Sequence, residues 1–167
     1  MKTSYDPTLL TLTPAQLTDR GICPTCLNRL SGGGVYGDDS DRRLYADDDV
    51  EILFVATPRA KGHCCILSMP HYHDMSEAPD ALNAKMMRYA KQLMRILCEV
   101  FGCMRVYLCS MCDGPNNHYH WQLIPRYPDE PRGSTNFVKP RGEYVCDPVA
   151  LQRIREALTA FAAQDAD

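Results

Sequence analysis

The feature that most constrains this chain is a nine-residue segment in which polar and large apolar side chains alternate. It reads His118-Tyr119-His120-Trp121-Gln122-Leu123-Ile124-Pro125-Arg126 and contains the single tryptophan of the sequence. Successive side chains of a β-strand point to opposite faces, so two histidines and a glutamine share one face and three large apolar residues share the other. A polar strand face can simply meet solvent, but this combination favours a strand that packs into the core and lines a functional site.

The rest of the chain predicts more strands and two long helices. Residues 43–45, 50–56, 63–69 and 105–111 are rich in apolar or β-preferring side chains and are separated by turn residues. Apolar residues recur at helical spacing over 76–101, where Gly102 is placed to end the helix. Asp147-Pro148 is a good start for a last helix, and Thr13-Pro14 for a short one. The order of strands, helix, strands and helix predicts an α+β domain with an antiparallel sheet.

Composition narrows the class of protein. A chain of 167 residues, 45% of them apolar and 23% charged, is expected to form a single globular domain. Its net charge of −3 gives no bulk electrostatic reason to bind nucleic acid, and no window approaches the roughly 18 apolar residues of a membrane-spanning helix. Residues 1–7 lack the apolar run of a secretory signal, so we expect a cytoplasmic protein without nucleic-acid or membrane partners.

The histidines and cysteines indicate a metal site. Four of the five histidines lie in two copies of His-Tyr-His, at 71–73 and 118–120. Cys23-x-x-Cys26 has the spacing of a zinc knuckle; a redox pair or two unconnected cysteines are the alternatives. Two further ligands are needed, either histidines of these clusters or Cys109 and Cys112. Residues three apart on a strand point to opposite faces, which favours histidines. The remaining cysteines are expected to be mostly buried, small apolar residues: Cys64, Cys65, Cys98, Cys103, Cys109, Cys112 and Cys146.

These residues resemble the histidine triad (HIT) superfamily of nucleotidyl hydrolases and transferases. The family's active-site strand has alternating histidines and ends in Pro-Arg, which segment 118–126 matches. Upstream, Thr57-Pro58-Arg59-Ala60-Lys61-Gly62-His63, an apolar strand and His71 follow the family order, and the resemblance covers about residues 20–127. Gln122 stands where many members have a third histidine, as in the branch of galactose-1-phosphate uridylyltransferases and diadenosine tetraphosphate phosphorylases.

The resemblance implies a fold, a division of the chain and a set of site residues. It implies a HIT-like core at 23–127, preceded by an N-terminal segment at 1–22 and followed by a helical extension at 128–167 of the same domain. His120 would be the nucleophile, and Gln122 would stabilise charge on the phosphoryl oxygens. Four residues would hold a structural zinc ion: Cys23, Cys26, His71 and His118. His73, which fits the pattern Pro70-x-x-His73, is the alternative to His71 as the third ligand.

The resemblance also implies substrates and a partner. A dinucleoside polyphosphate or a sugar nucleotide would be the substrate, and two chains would pair as a homodimer. The turn before the signature, 113–117, is shorter than in small members, so Asn116 and Asn117 are the available donors to the α-phosphate. Val55 stands where an acidic residue often binds the ribose.

Two other functions compete with this one. A non-catalytic, zinc-stabilised module that binds a nucleotide or a protein is the main alternative. A metal-dependent hydrolase is disfavoured, because an open metal needs more histidine or carboxylate ligands than this strand provides, and position 122 is an amide.

Overall fold

The computed structural model describes residues 5–112, 114–132 and 135–165. After a 3₁₀ turn at Pro7–Thr11, the described chain forms five helices and five strands. The helices are α1 (Pro14–Asp19), α2 (Pro24–Leu30), α3 (Asp80–Phe101), α4 (Thr135–Val138) and α5 (Pro148–Asp165). The strands are β1 (Arg43–Ala46), β2 (Val50–Phe54), β3 (Cys64–Ser68), β4 (Arg105–Cys109) and β5 (His120–Arg126).

The five strands form one antiparallel sheet in the order β1-β2-β3-β5-β4. Strand β5 therefore lies inside the sheet, between β3 and β4. Its register places Cys65 of β3 and Cys109 of β4 on either side of Gln122. This arrangement confirms the predicted α+β class with an antiparallel sheet, and it gives the histidine-bearing strand support from both neighbours.

The apolar side chains of segment 119–123 pack into the core, as the alternation predicts. Tyr119 and Leu123 are fully buried, and Trp121 joins the same cluster with residues of α3 and α5. The Tyr119 hydroxyl donates a hydrogen bond of 2.8 Å to the side-chain oxygen of Asn83 on α3. Because both long helices cover this face, the opposite face of β5 is left for His120 and Gln122.

The boundaries of α3 and β5 differ from the predicted ones. Helix α3 begins at Asp80 instead of residue 76, because the Asp74 carboxylate accepts from the Ser76 backbone N–H and Pro79 directly precedes the helix. It ends as predicted, with Gly102 in the left-handed conformation at φ 69°. Strand β5 begins at His120 rather than at 118, since the Tyr119 backbone N–H donates to the Tyr72 carbonyl instead of to a strand.

Two further expectations need correction. Cys146 is exposed, whereas Cys64, Cys65 and Cys103 are buried as predicted. Helix α2 was not predicted; Cys23 is its N-cap, and the Cys23 sulfur accepts from the Cys26 backbone N–H at 3.5 Å. In the part of the chain that the structure describes, every helix is too short or too polar to cross a membrane.

Candidate active site and metal cluster

The structure brings the four predicted metal ligands together. The ligand atoms of Cys23, Cys26, His71 and His118 all lie within 4.8 Å of one another. The Nδ1 atom of His118 is 3.5 Å from the Cys23 sulfur, 3.4 Å from the Cys26 sulfur and 3.3 Å from the Nδ1 atom of His71. In a tetrahedral zinc site these edges measure about 3.6 Å between sulfur and nitrogen and about 3.4 Å between nitrogens. The donor set and its spacing therefore fit Zn²⁺.

The hydrogen bonds of His118 select the tautomer that a metal ligand needs. Its Nε2–H donates to the Ser68 carbonyl at 2.7 Å, so the lone pair of Nδ1 points into the cluster. The Arg29 guanidinium donates to the same carbonyl at 3.0 Å and forms a salt bridge with the buried Glu51 carboxylate at 2.8 Å. Helix α2, which begins at the cysteine pair, is thereby tied to β2 and β3.

The two cysteines of the cluster have pKa values shifted in opposite directions. Their mutual hydrogen bond, assisted by His118, lowers the pKa of Cys23 to about 3. The same hydrogen bond, together with burial, raises the pKa of Cys26. Cys23 is therefore the more acidic of the two thiols, and the thiolate is the form that binds metal ions.

His73 takes no part in the cluster. Its Nδ1 atom lies 2.8 Å from the Glu77 carboxylate, in a hydrogen bond on the exposed side of the loop. Of the two histidines that the sequence left open as the third ligand, the structure places His71 in the cluster, 3.5 Å from the Cys26 sulfur.

His120 and Gln122 lie side by side on the polar face of β5. The Nδ1–H of His120 donates to the His118 carbonyl at 2.8 Å, which leaves the lone pair on Nε2. The side-chain nitrogen of Gln122 is 3.4 Å from that Nε2 atom. The Ser110 hydroxyl donates to the His120 carbonyl at 3.1 Å. His120 is partly exposed and Gln122 is buried, so the Nε2 atom of the imidazole faces the site beside the Gln122 amide.

His63 is a site residue that the sequence reasoning did not select. It is 1% exposed, its Nδ1 accepts from the Arg59 backbone N–H at 3.0 Å, and its Nε2–H donates to the Gln122 side-chain oxygen at 3.2 Å. Burial, with a smaller effect of Arg141 and Arg59, lowers the pKa of His63 to about 4, so its imidazole is neutral near pH 7. The fixed Nε2–H holds the Gln122 oxygen, and this turns the amide nitrogen toward His120.

Asn116 and Asn117 connect the loops around the site. One amide N–H of Asn116 donates to the Thr18 carbonyl at 3.0 Å, and one of Asn117 donates to the His73 carbonyl at 2.7 Å. Each side chain thus uses one donor to hold the turn and retains a second one. Asp113, the first residue of the predicted turn, lies outside the described residues.

Comparison with known protein families shows to which family this chain belongs. The model of the HIT domain matches residues 37–129, which is more than half of the sequence. The chain belongs to the HIT domain family. The matched range includes His63, His71 and segment 118–126, whereas Cys23 and Cys26 lie before it. A search of curated protein sequences finds no match.

Solved structures show the same fold. The chain is similar to a HIT-like protein involved in cell-cycle regulation from Bartonella henselae, at 17% identity and a TM-score of 0.54, covering 69% of this chain and 85% of that one. It is also similar to a hypothetical histidine triad nucleotide-binding protein from Sulfolobus tokodaii, at 18% identity and a TM-score of 0.56, covering 71% of this chain and 84% of that one. A third similar structure is a zinc-bound histidine triad family protein from Mycobacterium smegmatis, at 17% identity and a TM-score of 0.55, covering 73% of this chain and 86% of that one. The HIT-like fold is therefore confirmed.

Proposed function

We propose that this HIT domain is a nucleotidyl hydrolase or transferase that acts through a covalent intermediate on His120. The observation that carries the proposal is the tautomer of His120. Its Nδ1–H donates to the His118 carbonyl, so Nε2 faces the site next to the Gln122 amide, and in the neutral ring this Nε2 carries the lone pair. The nucleotide-binding description of the Sulfolobus tokodaii protein supports a nucleotide as the substrate.

The reaction balances with the groups at hand. The Nε2 lone pair of His120 attacks the α-phosphorus of a nucleoside phosphate derivative, a P–N bond forms, and the P–O bond to the leaving group breaks with its electron pair on oxygen. Water, phosphate or a second substrate then attacks phosphorus, and the P–N bond returns its electron pair to Nε2. The attacking hydroxyl's proton passes to the leaving oxygen or to solvent. Gln122 donates to the phosphoryl oxygens as negative charge grows there.

Cys23, Cys26, His71 and His118 would hold a zinc ion, and its role would be structural. Four protein ligands close a tetrahedral site, so a bound ion would stabilise the fold and would not contact substrate. Arg29, Glu51 and Ser68 already orient this cluster through the contacts of His118 and α2. The zinc-bound description of the Mycobacterium smegmatis protein supports the choice of metal.

The substrate we propose is a dinucleoside polyphosphate or a sugar nucleotide, because Gln122 resembles the glutamine of the transferase branch. Asn116 and Asn117 would donate their second amide N–H groups to the α-phosphate. We further propose that the protein works in the cytoplasm as a homodimer, without nucleic-acid partners.

Covalent trapping tests the proposed reaction. The wild type, incubated with a nucleoside polyphosphate radiolabelled at the α-phosphorus and quenched in alkali, should carry an acid-labile label. His120→Ala should carry none, since no neighbouring group replaces the nucleophile. His73→Ala, which removes the exposed histidine outside the cluster, should label like the wild type. Nucleotide binding by the wild type without label or turnover would favour the non-catalytic module instead.

A further inference from the structure

Two arginines approach the site from outside β5 and the metal cluster. Arg59 lies in the loop between β2 and β3, and its backbone N–H holds the His63 ring. Its guanidinium donates to the Lys139 carbonyl, in the segment that follows β5. Arg141, in that same segment, donates to the Thr57 carbonyl at 3.2 Å. Two distant segments therefore bring two guanidinium groups to one loop.

The charge of Arg59 acts on the same side of the sheet as Gln122. Burial raises the pKa of Cys109, and the charge of Arg59 partly offsets this rise. Cys109 of β4 is the register partner of Gln122 on β5. It also acts, with Arg141, on His63, whose ring bonds to the Gln122 side chain. The Arg59 backbone N–H and the Gln122 amide contact the same His63 ring, so the loop that carries Arg59 and receives Arg141 adjoins the amide beside His120.

The two guanidinium groups donate to the backbone carbonyl groups of Lys139 and Thr57. Among the described residues, neither Arg59 nor Arg141 forms an ion pair with a carboxylate. The Nε–H of Arg59 is buried and has no hydrogen-bond partner there. The charge of Arg59 adds to burial in lowering the pKa of Arg141, as expected for two neighbouring cations. Two like charges beside a buried donor without an acceptor form a site for an anion.

We propose that Arg59 and Arg141 bind the phosphate groups of the leaving group, beyond the bond that His120 breaks. This inference rests on the proposed function and narrows its substrate class to nucleotides whose leaving group is itself a phosphate chain. When the P–O bond breaks, its electron pair stays on the departing phosphate, and the arginines stabilise the added charge. A leaving group without phosphate gains nothing from them.

Direct binding of inorganic tripolyphosphate tests the site without turnover. Calorimetry at fixed ionic strength should give a dissociation constant for Arg141→Ala about tenfold or more above that of the wild type, because a hydrogen-bonded charge is lost. Arg141 is exposed, so this variant should keep the fold. Arg153→Ala, which removes an exposed arginine of α5, is the matched control and should bind like the wild type. Equal affinities for the wild type and Arg141→Ala would overturn the inference.

Two substrates test the catalytic role. Single-turnover labelling with a dinucleoside tetraphosphate should slow about tenfold in Arg141→Ala, whereas labelling with a nucleoside 4-nitrophenyl phosphate should keep its wild-type rate. Arg59→Lys, which keeps the charge but removes the guanidinium fork, should show the same selectivity. Equal slowing with both substrates would contradict the inference. Absence of label from the wild type would refute the proposed function instead, and tripolyphosphate binding would then decide the anion site alone.

Discussion

His63 gives the sharpest prediction about pH, because its neutral state holds the orientation of Gln122. Burial lowers the pKa of the folded-state imidazole to about 4, from an ordinary value near 6.5. Between these two values the unfolded chain binds a proton that the folded chain excludes. The free energy of unfolding should therefore fall as pH decreases through 6.5 toward 4, and His63 should contribute no pH dependence well above 6.5.

The size of the effect follows from the two pKa values. Integrating the difference in bound protons from pH 8 to pH 5 gives a loss of about 2 kcal/mol from His63 alone. His63→Gln removes the titrating ring while keeping an acceptor for the Arg59 N–H and a donor for Gln122. Between pH 8 and pH 5, this variant should therefore lose about 2 kcal/mol less unfolding free energy than the wild type.

Urea unfolding at pH 5 and pH 8 measures this difference. The contribution of every other group is common to both proteins and cancels in the comparison. Arg153→Gln, which replaces an exposed side chain of α5 that does not titrate between pH 5 and 8, is the control and should retain the wild-type loss of unfolding free energy. Should His63→Gln fold poorly, a titration of the His63 ring resonances by NMR gives the pKa directly. A ring that titrates near 6.5, or equal losses in the two proteins, would refute the reasoning.

Three other results are expected. Cys23→Ser can still cap α2 but loses a metal ligand, so elemental analysis should find less than one zinc per chain, and the melting temperature should fall by about 10 °C or more; a metal-free wild type with the same melting curve would count against zinc. Gln122→Ala should lower kcat by about 10²–10³ in a turnover assay, and Gln122→His should move resolution of the labelled intermediate toward water; unchanged kcat in Gln122→Ala would remove its assigned role. Light scattering should give twice the mass of one chain, and a single-chain mass would exclude the homodimer.

The sequence was sufficient to predict the class of fold and the buried face of segment 118–126, because both depend on local periodicity. Alternation over 118–126 separates core from site residues regardless of which strands flank them, and burial of Tyr119 and Leu123 follows. The end of α3 was predictable for a similar reason, since Gly102 adopts a left-handed conformation that glycine tolerates best. Helix α2 was missed because seven residues carry too short a pattern, and its cap is a cysteine.

Site residues that depend on long-range pairing could not be found in this way. The hydrogen bond between His63 and Gln122 spans 59 positions and exists only because β3 pairs with β5. Arg141 meets the loop of Thr57 across 84 positions, from a segment outside the matched HIT range. The choice between His71 and His73 likewise required the loop geometry, in which Glu77 holds His73 away from the cluster.

The tautomers of His118 and His120 explain how one short segment can serve both the proposed metal site and the proposed reaction. His118 donates from Nε2 to the Ser68 carbonyl and turns Nδ1 toward the cysteines. His120 donates from Nδ1 to the His118 carbonyl and turns Nε2 toward Gln122. The acceptor that fixes His120 is therefore the backbone of a metal-ligand residue. Because the His120 ring bonds to the backbone carbonyl of His118, an ion that fixes His118 would also fix the direction of the proposed nucleophile. Loss of zinc should then reduce labelling of His120 even at temperatures where the sheet remains folded.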